Sequence, residues 1–307
     1  MAKKLGLVLG SGAARGWAHV GVLQALDEIG LRPDVIAGCS VGALVGGAHL
    51  IGALDDFMAW ARELSPISAL SHFGLNIARG GLIDTGPAFE AFRSFDKDIA
   101  DLPIKFGAVA ADLGTGEEVW LTDGSVVEAA KASSAIPIVF HAVQRGTRWL
   151  VDGAVANPTP VTLARHLGAD VVVAVDLNAV PRVLDRFNPP PPSVPAVREV
   201  PEAPPGLSGA VTYFIEDTRR RIDEQIALAK AKQNARPQLF ETAYAAADIF
   251  QMHLSKARRE IETPDFCLAP DMRDALPTAF DRADDFIAEG HRALLEEADT
   301  IKSALAS

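Results

Sequence analysis

Short apolar runs alternate with helical periodicities along the first 180 residues. Leu5 to Leu9 is an apolar run closed by a glycine cluster, the pattern of a buried strand. From Trp17 to Ile29 the apolar positions Val20, Leu23, Leu26 and Ile29 recur at the spacing of one helical face, and Gly30 stands where a helix C′ glycine belongs. Asp34 to Gly38 predicts a second strand and Val41 to Leu54 a glycine-rich helix. Strand, helix, strand in this order is a βαβ unit, which makes the centre of the sheet parallel. Phe57, Met58, Trp60, Ala61 and Leu64 continue a helical face, and Asp84 or Thr85 caps a further helix with Pro87 in its first turn, ending near Phe95. Ile104 to Ala111 and Glu118 to Leu121 read as a hairpin, Arg148 to Val151 and Val171 to Asp176 as strands, and Val161 to Leu167 as the helix between them. The expected fold class is α/β, a mostly parallel sheet sandwiched between helices.

Pro181 to Pro205 holds nine prolines in 25 residues and can form neither a helix nor a central strand. Beyond it, Tyr213 to Lys232 and Leu239 to Arg259 carry amphipathic periodicity, Asp265 to Ala269 fits a last strand, and Phe280 to Leu305 a closing helix. The expected organisation is therefore an α/β core over 1–180, a proline-rich linker or surface loop over 181–211, and a C-terminal helical extension over 212–307 that completes the same domain.

Val35 to Leu54 contains no charged residue over a length that spans a membrane. Its five glycines and His49 favour instead a buried strand running into a buried helix. The chain of 307 residues carries a net charge of −11, so its field repels nucleic acid and anionic lipid. Two cysteines, Cys39 and Cys267, give neither a disulfide framework nor a zinc spacing. The apolar run after Met1 is broken by glycine too early for a secretory signal, so the expectation is a cytoplasmic protein.

Gly38-Cys39-Ser40-Val41-Gly42 matches G-x-S-x-G at a strand-to-helix junction, where a sharp turn projects a serine hydroxyl toward the helix N-terminus. The plainer alternative makes Ser40 an ordinary helix N-cap. Gly10-Ser11-Gly12-Ala13-Ala14-Arg15-Gly16 offers backbone N–H groups at another helix start. As a dinucleotide fingerprint it fails, because Arg15 stands where the third glycine packs the helix on the strand. It serves equally as an oxyanion hole facing Ser40. Asp152-Gly153-Ala154 follows a strand, and an aspartate at the C-terminal end of a parallel strand lies at the ligand-binding edge. Asp112 and Asp176 also end strands, and Asp-Gly is a common turn pair, so position alone does not choose among the three.

Taken together with Ala132-Ser133-Ser134-Ala135-Ile136-Pro137, these blocks resemble the patatin-like phospholipases, in particular their short bacterial members. The resemblance covers nearly the whole chain. It implies a Ser–Asp dyad of Ser40 and Asp152, an oxyanion hole over Gly10, Ser11, Gly12 and Ala13, and an elbow framed by Gly38 and Gly42. It further implies hydrolysis of fatty-acyl esters such as phospholipids or lysophospholipids, without metal or cofactor. The partners implied are a fatty-acyl ester lipid and a transient contact with a membrane surface; oligomeric state is open. An acyltransferase, a thioesterase or a non-catalytic lipid- or partner-binding protein are the alternatives. His166, His253 and His291 follow Asp152 in the order a triad needs, but read as surface or packing residues, while His19 and His141 neighbour the pocket. Arg15 either meets a substrate anion or pairs with a carboxylate to hold its loop, the second being favoured.

Overall fold

The computed structural model describes residues 3–63, 89–137, 139–180, 239–272, 274–275 and 279–307. The proline-rich segment 181–211 and the helix expected over Tyr213–Lys232 lie outside these residues, as does the helix expected from Asp84 up to residue 88. The chain divides into one compact unit of Met1–Arg182 with Ala247–Ser307, and a second, Val183–Ala246.

Within the first unit the strands are β1 (Leu5–Leu9), β2 (Val35–Cys39), β3 (Lys105–Asp112), β4 (Glu118–Leu121), β5 (Val143–Arg145), β6 (Arg148–Asp152), β7 (Val171–Val175) and β8 (Phe266–Leu268). The described helices are α1 (Trp17–Glu28), α2 (Val41–Ile51), α3 (Leu54–Glu63), α4 (Val126–Ser133), α5 (Val161–His166), α6 (Leu239–Ile261) and α7 (Ala283–Ala306). Parallel pairing joins β3, β2, β1, β7 and β8 in that order, and β4, β5 and β6 add antiparallel pairs.

β1 is buried on both faces, which is why it reads as an unbroken apolar run. Its alternating side chains divide between two cores. Leu5, Leu7 and Leu9 join the larger core, with residues of α1, α2, α4 and α7, while Val8 joins a smaller one with Val161, Leu163 and Ala164 of α5. The sheet is therefore sandwiched between helices. α1 and α7 pack backbone to backbone: a Cβ on Gly21 would lie 1.9 Å from Ile287 O, and one on Gly290 1.9 Å from Ala18 O.

The apolar stretch from Val35 divides into β2 and α2. α2 ends at Ile51, three residues before the expected end at Leu54, capped by Gly52 in the left-handed conformation, φ +79°. Among the described residues no helix is long and apolar enough to cross a membrane. The closing helix begins one turn later than expected, after a 3-10 turn at Phe280–Arg282.

β3 carries the topological feature that makes the site. Its residues 108–111 pair with β4. On the opposite edge β2 pairs as far as Val109, through Cys39, and β6 takes over at Ala110, through Asp152. β2 and β6 thus meet end to end along one edge of β3, one running parallel to it and the other antiparallel. This corrects the sequence argument for Asp152. The residue ends an antiparallel strand, and it reaches the site because it occupies the ladder position that β2 vacates when the chain turns into α2.

Candidate active site

Ser40 stands at that turn with φ +55° and ψ −123°, a conformation that costs a non-glycine residue about 1–3 kcal/mol. Among the described residues only Ala13, φ +50°, shares a positive φ without being glycine. Both lie in segments singled out by sequence. The elbow is held by close packing on either side. A Cβ on Gly42 would lie 1.9 Å from Leu9 O, and one on Gly38 2.5 Å from the Cα of Ala43.

The Ser40 side chain makes no cap to α2. Instead its Oγ donates to Asp152 Oδ2 at 2.6 Å, both side chains being buried. Asp152 Oδ1 accepts from Ala154 N at 2.8 Å. Burial raises the Asp152 pKa from 3.8 to about 6, against the opposing pull of the bonds from Ser40 and Ala154. A carboxylate kept short of solvation is a stronger base, which a serine hydroxyl requires.

The three strand-ending aspartates resolve by their second oxygen. Each accepts from the amide two residues on, at 2.8 Å: Asp112 from Gly114, Asp152 from Ala154, Asp176 from Asn178. Asp112 then meets Arg148 at 3.5 Å and Asp176 receives Ser255 Oγ at 2.6 Å, so Asp152 alone among them faces Ser40.

The loop after β1 approaches as a 3-10 turn, Ala13–Gly16. Its four expected donors divide into two pairs. Gly10 N donates to Val175 O at 3.0 Å and Ser11 N to Pro158 O at 2.8 Å, so neither amide is free to receive an oxyanion, and the sequence expectation is corrected for both. They tie the loop to the end of β7 and to the segment before α5. The amides of Gly12 and Ala13 have no acceptor among the described residues.

Two further residues hold this arrangement. Ser133 Oγ accepts from Ser40 N at 2.9 Å and donates to Val109 O at 2.6 Å, clamping the elbow to β3. Two residues on, Ala135 O accepts from Asp152 N at 2.8 Å. The block Ala132 to Pro137 therefore touches both members of the pair, a role that its presence as a sequence block signalled without specifying.

The family model for patatin-like phospholipase matches residues 7–165, just over half of the chain. The chain belongs to the patatin-like phospholipase family. An uncharacterized NTE family protein of Mycobacterium tuberculosis is 40% identical over 177 residues, 57% of this chain and 49% of that protein. A patatin-like phospholipase domain-containing protein of Caenorhabditis elegans is 31% identical over 57% of this chain and 14% of its own. The lysophospholipase nte1 of Emericella nidulans is 29% identical over 58% of this chain and 12% of its own. The chain thus spans about half the length of the mycobacterial relative and less of the others. The solved structure of VipD from Legionella pneumophila aligns at TM-score 0.34 and 15% identity, over 57% of this chain and 50% of that one.

In this patatin-like core Arg15 is buried within the molecule, 2% exposed, and does not face a ligand. It donates to Gly12 O, Leu177 O, Asn178 Oδ1 and, at 2.6 Å, to Asp248. His19 lies fully buried beneath the loop rather than lining a pocket. Its Nε2–H donates to Gly10 O at 2.7 Å, and burial lowers its pKa to about 4, so it is neutral. The histidines that could complete a triad are engaged or placed elsewhere. His166 packs against Trp120 with ring centroids 4.8 Å apart and the rings tilted at 46°, His291 meets Glu28, and His253 is exposed on α6.

Proposed function

We propose that this chain is a serine acyl hydrolase acting on fatty-acyl esters of the phospholipid or lysophospholipid class. The observation that carries the reading is the 2.6 Å bond from Ser40 Oγ to a buried Asp152 raised to about 6, on a serine strained into an elbow. Family membership supports it, as do relatives whose names state phospholipase and lysophospholipase. Asp152 takes the Ser40 proton as Oγ attacks the ester carbonyl, and the Gly12 and Ala13 amides receive the developing oxyanion. The proton passes from Asp152 to the departing alcohol. Water, deprotonated by the same carboxylate, then attacks the acyl-serine, and the proton returns to Oγ as the fatty acid leaves. The scheme uses no metal or cofactor.

The test is hydrolysis of a chain-length series of p-nitrophenyl esters and of a lysophospholipid by wild type, Ser40→Ala and Asp152→Asn. Both variants should remain folded and lose turnover. Activity that survives in folded Asp152→Asn would assign the base elsewhere, and a folded wild type inert on every ester would sink the hydrolase reading.

A further inference from the structure

The two open amides keep their direction only if the peptide planes before them are fixed. In a trans peptide the C=O of one residue and the N–H of the next point opposite ways, so holding Ser11 O aims Gly12 N–H, and holding Gly12 O aims Ala13 N–H. Both carbonyls are held. Asn178 Nδ2 donates to Ser11 O at 3.0 Å, and Arg15 donates to Gly12 O through its backbone N at 3.2 Å and its Nε at 3.3 Å. Asn178 in turn accepts from Arg15 Nη2 at 3.1 Å.

What anchors this network comes from α6. Asp248 accepts from Arg15 Nη2 at 2.6 Å with side chains 7% and 3% exposed. One turn on, Gln251 Oε1 accepts from Ser11 Oγ at 3.0 Å. Both residues lie well beyond the 7–165 that the family model matches. The loop they secure contains Ala13 at φ +50°, a conformation the backbone leaves unless its surroundings hold it there.

We propose that Asp248 and Gln251 are positioning residues for the hydrolysis, aiming the Gly12 and Ala13 amides at the reacting carbonyl through Arg15 and Ser11. The proposal rests on the acyl-hydrolase reading above. A misaimed donor weakens the transition state and leaves ground-state binding alone. The loss therefore belongs in kcat and in the affinity for a transition-state analogue, and KM should hardly move.

The experiment compares Asp248→Asn, Gln251→Ala, Ser11→Ala and the Gln251→Ala/Ser11→Ala double variant with wild type. It measures kcat and KM on a p-nitrophenyl ester, the inhibition constant of an alkyl trifluoromethyl ketone, and thermal unfolding. Losing a whole oxyanion donor costs about 10²–10³ in kcat, so a donor turned aside should cost roughly 10- to 100-fold. That loss should reappear as an equal rise in the inhibition constant, with KM within about threefold. Since Gln251 acts through Ser11, the double variant should be no worse than the poorer single one. Unaltered kcat in the folded variants, losses confined to KM, or additive losses would each overturn the proposal. Should Asp248→Asn fail to fold, the Gln251 and Ser11 cycle decides alone. Wild type without Ser40-dependent turnover refutes the hydrolase reading and this role together, whereas Ser40-dependent turnover with unaffected variants refutes this role only.

Discussion

Replacing Asp152 by asparagine removes a carboxyl that burial holds at a pKa of about 6 in place of 3.8. The effect on stability should therefore depend on pH in the sense opposite to a salt-bridged carboxylate. Between those two values the folded chain keeps a proton that the unfolded chain has lost. Wild-type stability accordingly falls as pH rises through this window, and the full penalty is present above about pH 6. At 1.36 kcal/mol per unit, a rise of about two units amounts to about 3 kcal/mol. Asparagine carries no such term. The bonds to Ser40 and Ala154 change in the variant by amounts that do not titrate, so comparing two pH values cancels them. Urea unfolding of variant and wild type at about pH 4 and about pH 8, with matched m values, should show the difference moving by about 2–3 kcal/mol in favour of the variant at the higher pH. A difference that stays flat, or moves toward wild type, would refute the claim that Asp152 is a desolvated base.

The same group should shape the rate profile. kcat/KM should rise with pH through an apparent pKa of about 6 and stand roughly tenfold below its plateau one unit lower, as only ionised Asp152 accepts the Ser40 proton; a limb near 4 contradicts the assignment. Ser133→Ala leaves Ser40 N and Val109 O without their shared partner, so it should cost about 1–3 kcal/mol in urea unfolding and lower kcat as the elbow loosens; lost stability with unchanged kcat would reduce the bond to a fold contact. Gly42→Ala drives a methyl to 1.9 Å from Leu9 O and should lower stability by about 1–3 kcal/mol or more in thermal or urea unfolding, with wild-type stability as the refuting result.

What the sequence made legible follows from how local each signal is. The strands β1, β2 and β7 announce themselves as apolar runs because both their faces are covered. The end of α1 was readable at Gly30, which takes φ +70° as the C′ position demands. α4 carries a readable signal too, since Ser125 Oγ accepts from Glu128 N at 3.0 Å in the S-x-x-E spacing of a capping box, although its apolar positions alone did not mark it as a helix. β5 leaves no trace in the pattern, being three residues, Val-Gln-Arg, of which the outer two are half-buried and the middle one exposed. The direction of β6 is likewise invisible, because a period of two is the same read either way. Backbone donors posed the hardest problem. Gly10, Ser11, Gly12 and Ala13 look alike as a motif, and only the carbonyls of Val175 and Pro158 separate the spent amides from the open ones. Arg15 gave no local hint of its partner, which lies 233 residues away.

The end-to-end meeting of β2 and β6 on β3 has a consequence for the order in which chemistry can arise during synthesis. A growing chain displays the Gly10–Gly16 loop and Ser40 early, and β3 follows once residue 112 has emerged. On the proposed mechanism Ser40 has no base until residue 152 arrives and docks beside Ala110. A nascent or truncated chain ending anywhere before that point would, on that mechanism, carry a chemically silent serine. On the proposed mechanism acyl transfer is thereby tied to the docking of β6 on β3, before β7 and β8 have been made.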